Sequence, residues 1–185
     1  MIINIPSQAI VNRIIPKDRF SFKDATKIER IRWMGKLSPN TINLPTKKIA
    51  EIEIISVDMP EFEQGIVKEI VDKIPQEILF IINDNRAVMQ YNNRLFSKKI
   101  NDNLQISGLS IDEVRDNFIR QLLDITDISK PLKQQVEIIN EIQTLEIEIN
   151  RINKHIKQTL QINKKQSMAR KRFKLEQQLA KLKGE

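Results

Sequence analysis

From Leu132 to Lys183 the chain contains neither glycine nor proline. Pro131 stands at the front of this run, where the first turn of a helix accepts proline, so the last part of the chain is committed to helix. Ile138, Ile142, Leu145, Ile149, Ile152 and Ile156 recur at alternating steps of four and three, the pattern of a coiled-coil seam. Met168, Leu175, Leu179 and Leu182 form a second seam, with Arg172 inside it. One continuous helix would carry the first phase onward and place Asn163, Gln166, Arg170 and Gln177 in the core. The phase therefore breaks between residues 160 and 168, and the spacing predicts an antiparallel helical hairpin with arms at 131–162 and 168–183. At ~1.5 Å per residue the arms span about 48 Å and about 24 Å. The shorter arm reaches Ile149 and at most Leu145. Ile138 and Ile142, with Leu145 at the margin, are the expected partner-binding residues, packing on the body, on a second copy or on another protein.

Charge is uneven along the sequence. Asn163 to Glu185 carries eight basic and two acidic residues, so nearly all of the net +7 lies there. A localised positive field attracts nucleic acid, anionic membrane or acidic protein. At 100° per residue, Arg170, Lys174 and Lys181 fall on the side opposite the leucines, with Lys171 and Arg172 beside the seam. Such a ridge is first of all the solvated face of an amphipathic helix. It is also the candidate nucleic-acid contact, since phosphate binding needs only positioned Lys and Arg and carries no base information. Phe173 is the one aromatic residue in this stretch, which argues against a base-stacking platform.

Ahead of the hairpin the pattern is mixed. Ser7 to Phe20 shows helical spacing interrupted by Pro16, and residues 24–34 predict a second helix capped by Asp24. A short extended piece is expected at Thr41–Leu44. Ile49, Glu51 and Glu53 alternate with Ala50, Ile52 and Ile54, which predicts a strand whose acidic face meets water. Residues 61–75 are helical, with Ile66, Val67, Ile70 and Ile74 on one side. Residues 77–92 read as two strands about a turn at Asp84–Asn85. "RLFSKKI" (94–100) reads as a basic loop. Ser110 and Glu113 open the clearest helix, residues 110–124, with a stripe of Ile111, Val114, Phe118 and Leu122. The expected fold is an α/β (α+β) body over residues 1–127, with a small mixed sheet and packed helices. A C-terminal antiparallel coiled-coil helical hairpin over residues 131–185 follows it.

Little in this composition supports catalysis. There is no cysteine, and His155 is the single histidine, which argues against a zinc cluster or a nucleophile–histidine triad. No phosphate-binding glycine motif occurs. A restriction-type Mg²⁺ nuclease would need Asp/Glu-x-Lys on a strand, and that tripeptide is absent. Glu51, Glu53 and Asp58 are the carboxylates left for such a site. The expectation is a chain with no catalytic residue, no metal and no cofactor. No signal peptide and no apolar window of ~18 residues is visible, so no membrane contact and a cytoplasmic location are expected.

Several stretches occur in a telling order: "VNRIIPKDRF" (11–20), "KIERIRWMGKLSPNTINL" (27–44), "EIEIISVDM" (51–59), "KIPQEILFII" (73–82) and the terminal "KKQSMARKRFKLEQQLAKLK". Together they resemble the bacterial domain-of-unknown-function 4391 family over nearly the whole chain, "KLSPNTIN" being the most specific piece. Phe20-Ser21 departs from the aromatic pair or Phe-Tyr often found there, so no tyrosine hydroxyl is available at that place. The resemblance implies an accessory protein, since members tend to be encoded beside helicase-like ATPases and DNA methyltransferases in restriction-like or phage-defence loci. It supplies no catalytic residues. The partners it implies are a larger helicase-like or methyltransferase protein and DNA. A homodimer through the coiled coil follows from the seam alone.

Overall fold

The computed structural model describes residues 2–184. The chain divides into two compact units, one through Thr126 and one from Asp127.

The first unit is built on a six-stranded sheet in which each strand pairs with the next in sequence. The strands are β1 (Ile10–Ile14), β2 (Arg30–Leu37), β3 (Ile52–Asp58), β4 (Glu77–Ile82), β5 (Arg86–Tyr91) and β6 (Arg94–Lys99). All neighbours are antiparallel except β3 and β4, which run parallel from Ile52↔Glu77 to Val57↔Ile82. A parallel pair needs a crossover. Here it contains helix α2 (Gln64–Val71), whose buried Ile66, Val67 and Ile70 join Ile55, Val57, Ile78, Phe80, Ile82 and Val88 in one core cluster. The alternate residues Ile54, Leu79, Ile81, Ala87 and Met89 are buried on the opposite face. Helix α3 (Ile111–Leu122) packs against β5 and β6, burying Ile111, Val114, Phe118, Ile119 and Leu122.

The structure corrects the first forty residues. The helix expected over residues 7–20 is instead a 3₁₀ turn at Ser7–Ala9, strand β1 and a second 3₁₀ turn at Lys17–Arg19. The helix expected over 24–34 is a 3₁₀ turn at Ala25–Lys27, which Asp24 does cap, followed by strand β2. In both stretches the apolar positions fit helical and extended spacing alike. Val11, Ile14, Ile31 and Trp33 are β-branched or aromatic and favour a pleated surface, and pairing with β3 decides the matter. β1 is exposed at four of its five positions and has an irregular register, with Asn12 at φ 52°, as suits an edge strand.

Three further elements differ from expectation. The extended piece at 41–44 is helix α1 (Pro39–Ile42), with Pro39 in the first turn and left-handed Asn43 (φ 52°) at its end. "RLFSKK" is not a loop but strand β6. The residues between it and β5 are Asn92 and Asn93, both at positive φ, the two-residue turn that Asn tolerates. The preceding turn centres one residue early, on Asn83 and Asp84 at φ 50° and 54°.

The second unit consists of α4 (Leu132–Gln158) and α5 (Ile162–Lys183), which pack on each other as a hairpin. Among the described residues no helix is long and apolar enough to cross a membrane.

Ser110 is buried, and its Oγ accepts the N–H of Glu113 at 3.2 Å, while Glu113 Oε2 accepts the N–H of Leu109 at 2.8 Å. Removing an N-cap of this kind costs about 1 kcal/mol. Ser110→Ala should therefore lower the unfolding free energy by about 1 kcal/mol, read as a lower urea midpoint at an unchanged m-value. A midpoint equal to that of the parent would contradict the capping role.

Candidate nucleic-acid interface

The hairpin reverses at Thr159, Leu160 and Gln161. Thr159 and Gln161 are extended (ψ 128° and 118°), and α5 starts at Ile162. The return arm therefore begins six residues before the expected residue 168. Asn163, Gln166, Arg170 and Gln177, the residues that a continuous helix would bury, are all exposed. Leu145, Ile149 and Ile152 are buried along α4, with Ile156 half-buried. Met168, Arg172, Leu175, Leu179 and Leu182 are half-buried on α5. At ~1.5 Å per residue α4 is about 40 Å long and α5 about 33 Å, so the arms match more closely than expected. Lys183 Nζ reaches Glu146 Oε1 at 2.8 Å. Of the expected partner-binding residues, Leu145 is 9 % exposed, Ile142 half-buried and Ile138 38 % exposed.

The electrostatics follow from where the acids stand. From Ile149 to Leu175 the chain holds nine Lys and Arg residues and no Asp or Glu. This stretch is the distal half of the hairpin, on both sides of the turn. At its margin the acids of the base take up neighbouring cations: Lys171 lies 2.6 Å from Glu148, and Arg172 Nε lies 3.2 Å from Glu176. Arg172 Nε makes no hydrogen bond despite that proximity, whereas Arg172 Nη1 donates to Asn153 Oδ1 at 3.1 Å. Two of the five expected phosphate-contacting residues are thus already paired with acids of the hairpin, Lys171 at the surface and Arg172 half-buried. Arg170, Lys174 and Lys181 are exposed, and among the described residues none of them forms an ion pair. Arg170, Lys171 and Lys174 line a shallow depression with Asn163, Gln166 and Ser167, which adds amide and hydroxyl donors between the cations. Arg151, Lys154, Lys157, Lys164 and Lys165 share the acid-free stretch and are exposed. Attention to the basic tail alone misses the three on α4. The signal that finds them is the absence of Asp and Glu across the turn.

The carboxylates of the body have other roles. Glu53 is 7 % exposed, not on a wet face, because β3 is buried on both sides. Trp33 Nε1 donates to Glu53 Oε2 at 2.6 Å. Burial pushes the Glu53 carboxyl above its ordinary value, against the pull of Trp33 and Lys36 and with some help from Glu51. Glu51 pairs with Lys36 at 2.6 Å, and Asp58 with Arg30 at 2.6 Å. Among the described residues no three His, Asp or Glu are grouped to hold a metal ion. His155 is exposed on α4. At the end of the sheet where β4 begins and β5 ends, a polar depression of about 440 Å³ contains Glu77, Tyr91 and Arg115. The Arg115 guanidinium stacks 4.9 Å from the Tyr91 ring centre and lies 3.5 Å from Glu77. Burial raises the Glu77 carboxyl, which the Arg115 charge opposes.

The family model of a domain of unknown function (DUF4391) matches residues 3–114, more than half of the chain, and the chain belongs to that family. The match covers the whole sheet and ends within α3, ahead of the hairpin. No curated protein and no solved structure matches. The residues that carry the resemblance do structural work. Lys17 Nζ donates to the carbonyls of Ala25 and Ile28, tying off the 3₁₀ turn there. In "KLSPNTIN", Thr41 Oγ1 accepts the N–H of Ser38 at 2.8 Å and donates to Lys36 O at 2.7 Å. Phe20 packs on Phe22 with ring centres 5.3 Å apart.

A carboxyl with a raised folded pKa keeps a proton that the unfolded chain has already released. Its contribution to stability is complete below the ordinary value near 4.5 and is lost as pH rises through the raised folded value. Glu53→Gln, which keeps the volume and the acceptor for Trp33, should flatten the fall in urea midpoint between pH 4 and pH 7. An identical pH profile in the variant would contradict the buried-carboxyl assignment.

Proposed function

We propose that this chain is a binding subunit and not an enzyme: it engages the phosphate backbone of DNA through the distal half of its hairpin, as an accessory to a larger DNA-processing protein. The observation that carries the DNA half is the acid-free stretch from Ile149 to Leu175, with nine cations spread over two packed helices. Cations on a rigid scaffold release condensed counterions when they meet phosphates, which gives sequence-independent affinity. The exposed Arg170 and Lys174 lead this contact, with Arg151, Lys154 and Lys157 across the turn. Lys171 and Arg172, already bound to Glu148 and Glu176, set the position of α5 and contribute less. The accessory half rests on the family resemblance, which implies helicase-like or methyltransferase partners. The exposed Ile138 end of the seam is the docking point this reading gives to such a partner or to a second copy. A metal-dependent nuclease is the weaker alternative. Glu51, Glu53 and Asp58 each already sit on a Lys, Trp or Arg donor of their own.

Titration of the full chain on a mixed-sequence 30-bp duplex at increasing KCl tests the proposal. Affinity should fall steeply with salt. Arg170→Gln with Lys174→Gln should lower the log–log slope by about 2, at ~0.9 per phosphate contact. Lys133→Gln, at the base of α4, should leave the slope alone. Salt-independent binding, or an unchanged slope in the double variant, would overturn the backbone contact.

A further inference from the structure

We infer that the hairpin turn is an apolar wedge that enters duplex DNA from the minor groove and partly unstacks a base step. The inference rests on the backbone-binding reading above and gives the tip a task that phosphate contact cannot. Leu160 is 93 % exposed and Ile162 71 % exposed. Both lie at the reversal, beyond the last half-buried seam residue Ile156, so neither packs the hairpin. Turns of this length are ordinarily made of polar residues and glycine. Here two branched apolar side chains project from the most positive part of the molecule. Phosphates offer nothing to a leucine, whereas the faces of base pairs are apolar and lie within one side-chain length of the backbone. Leucine and isoleucine are among the residues that architectural proteins insert between base steps from the minor groove.

The dimensions suit this use. Two packed α-helices are far wider than the minor groove, which is ~6 Å across, but a three-residue turn carrying a leucine is not. With the turn in the groove, Lys157 on the α4 side and Lys164 and Lys165 on the α5 side flank it. The hairpin therefore offers cations to the phosphates of both strands while its tip takes the apolar contact. Leu160 makes the insertion and Ile162 supports it.

The test uses the full chain and a 24-bp duplex with a central TA step, a step that kinks easily, labelled at both ends for energy transfer. The parent chain should shorten the end-to-end distance. Leu160→Ser with Ile162→Ser should abolish the shortening and weaken binding about tenfold, while the salt slope stays as in the parent. Leu160→Met, still apolar, should retain the bend. Circular dichroism of the serine variant should match the parent, since neither residue is buried. Binding and bending like the parent's in the serine variant would overturn the wedge while leaving the backbone contact standing. Loss of salt-dependent binding in the parent itself would remove the backbone contact, and the wedge with it. Sedimentation with phosphatidylglycerol vesicles supplies the remaining arm. Vesicle binding that disappears in the serine variant, with duplex binding and bending unchanged, would make the tip a lipid contact and overturn the wedge.

Discussion

The body depends on the parallel pairing of β3 with β4. Every other neighbouring pair in the sheet is antiparallel and needs only a short reversal or a local loop. This one pair forces the chain to cross from one end of the sheet to the other, and the crossover lays α2 on a face. With α3 on the other face, β3 and β4 become the two strands buried on both sides. Parallel strands carry this burden because their crossovers bring their own cover. The consequence reaches individual residues. Glu53 shares its sheet face with Ile55 and Val57, so its carboxylate goes into the interior with them. It is tolerated there because Trp33 across the strand pair supplies a donor.

The same constraint explains how far the sequence can be read. Where a segment's own chemistry settles its conformation, the expectations hold. The α2 residues Ile66, Val67 and Ile70 are buried together, Ser110 caps α3, and the alternation from Ile52 onward is a strand. Where pairing with a distant strand settles it, they fail. Ile28, Ile31 and Met34 suit a helix face as well as they suit a pleat, and only β3, some twenty residues downstream, selects the strand. The wet acidic face assigned to β3 fails for the same reason: period-two alternation marks a strand but does not say whether a second layer covers its polar side. The Asn92-Asn93 turn was legible in principle. Asn-Asn between Tyr91 and Arg94 is a two-residue reversal, and recognising it would have turned "RLFSKK" into a strand.

In the hairpin, phase was a better guide than composition. Polarity keeps Asn163, Gln166, Arg170 and Gln177 out of the core, and all four face water. It locates the break only to within a turn or two, because Leu160 and Ile162 are apolar and look like seam residues. They are not seam residues. Apolar character at a reversal, without burial, is the property that sequence spacing cannot separate from packing. The acid-free interval was also in plain view but straddles the break, so reading the two arms separately divides it.

Arg172 shows how the two halves of the hairpin are balanced against each other. It occupies a seam position, where leucine would pack better, and α5 has no fully buried residue at all. The cost of a half-buried guanidinium is offset in part by Asn153 on α4 and by the charge of the adjacent Glu176, the first acid of the base, while Nε itself makes no hydrogen bond. Glu148 holds Lys171 in the same way. Acids therefore stand at the junction of base and distal half, where they fix the register of α5 on α4, and stop there. Beyond them the remaining cations are left without acidic neighbours and repel one another, which disfavours the folded hairpin in isolation. A polyanion seated on the distal half would relieve that repulsion, which is the energetic basis of the binding proposed above. The family match ends before any of these residues. The matched residues build the sheet and the start of α3, and the paired acids and cations of the hairpin lie outside the match.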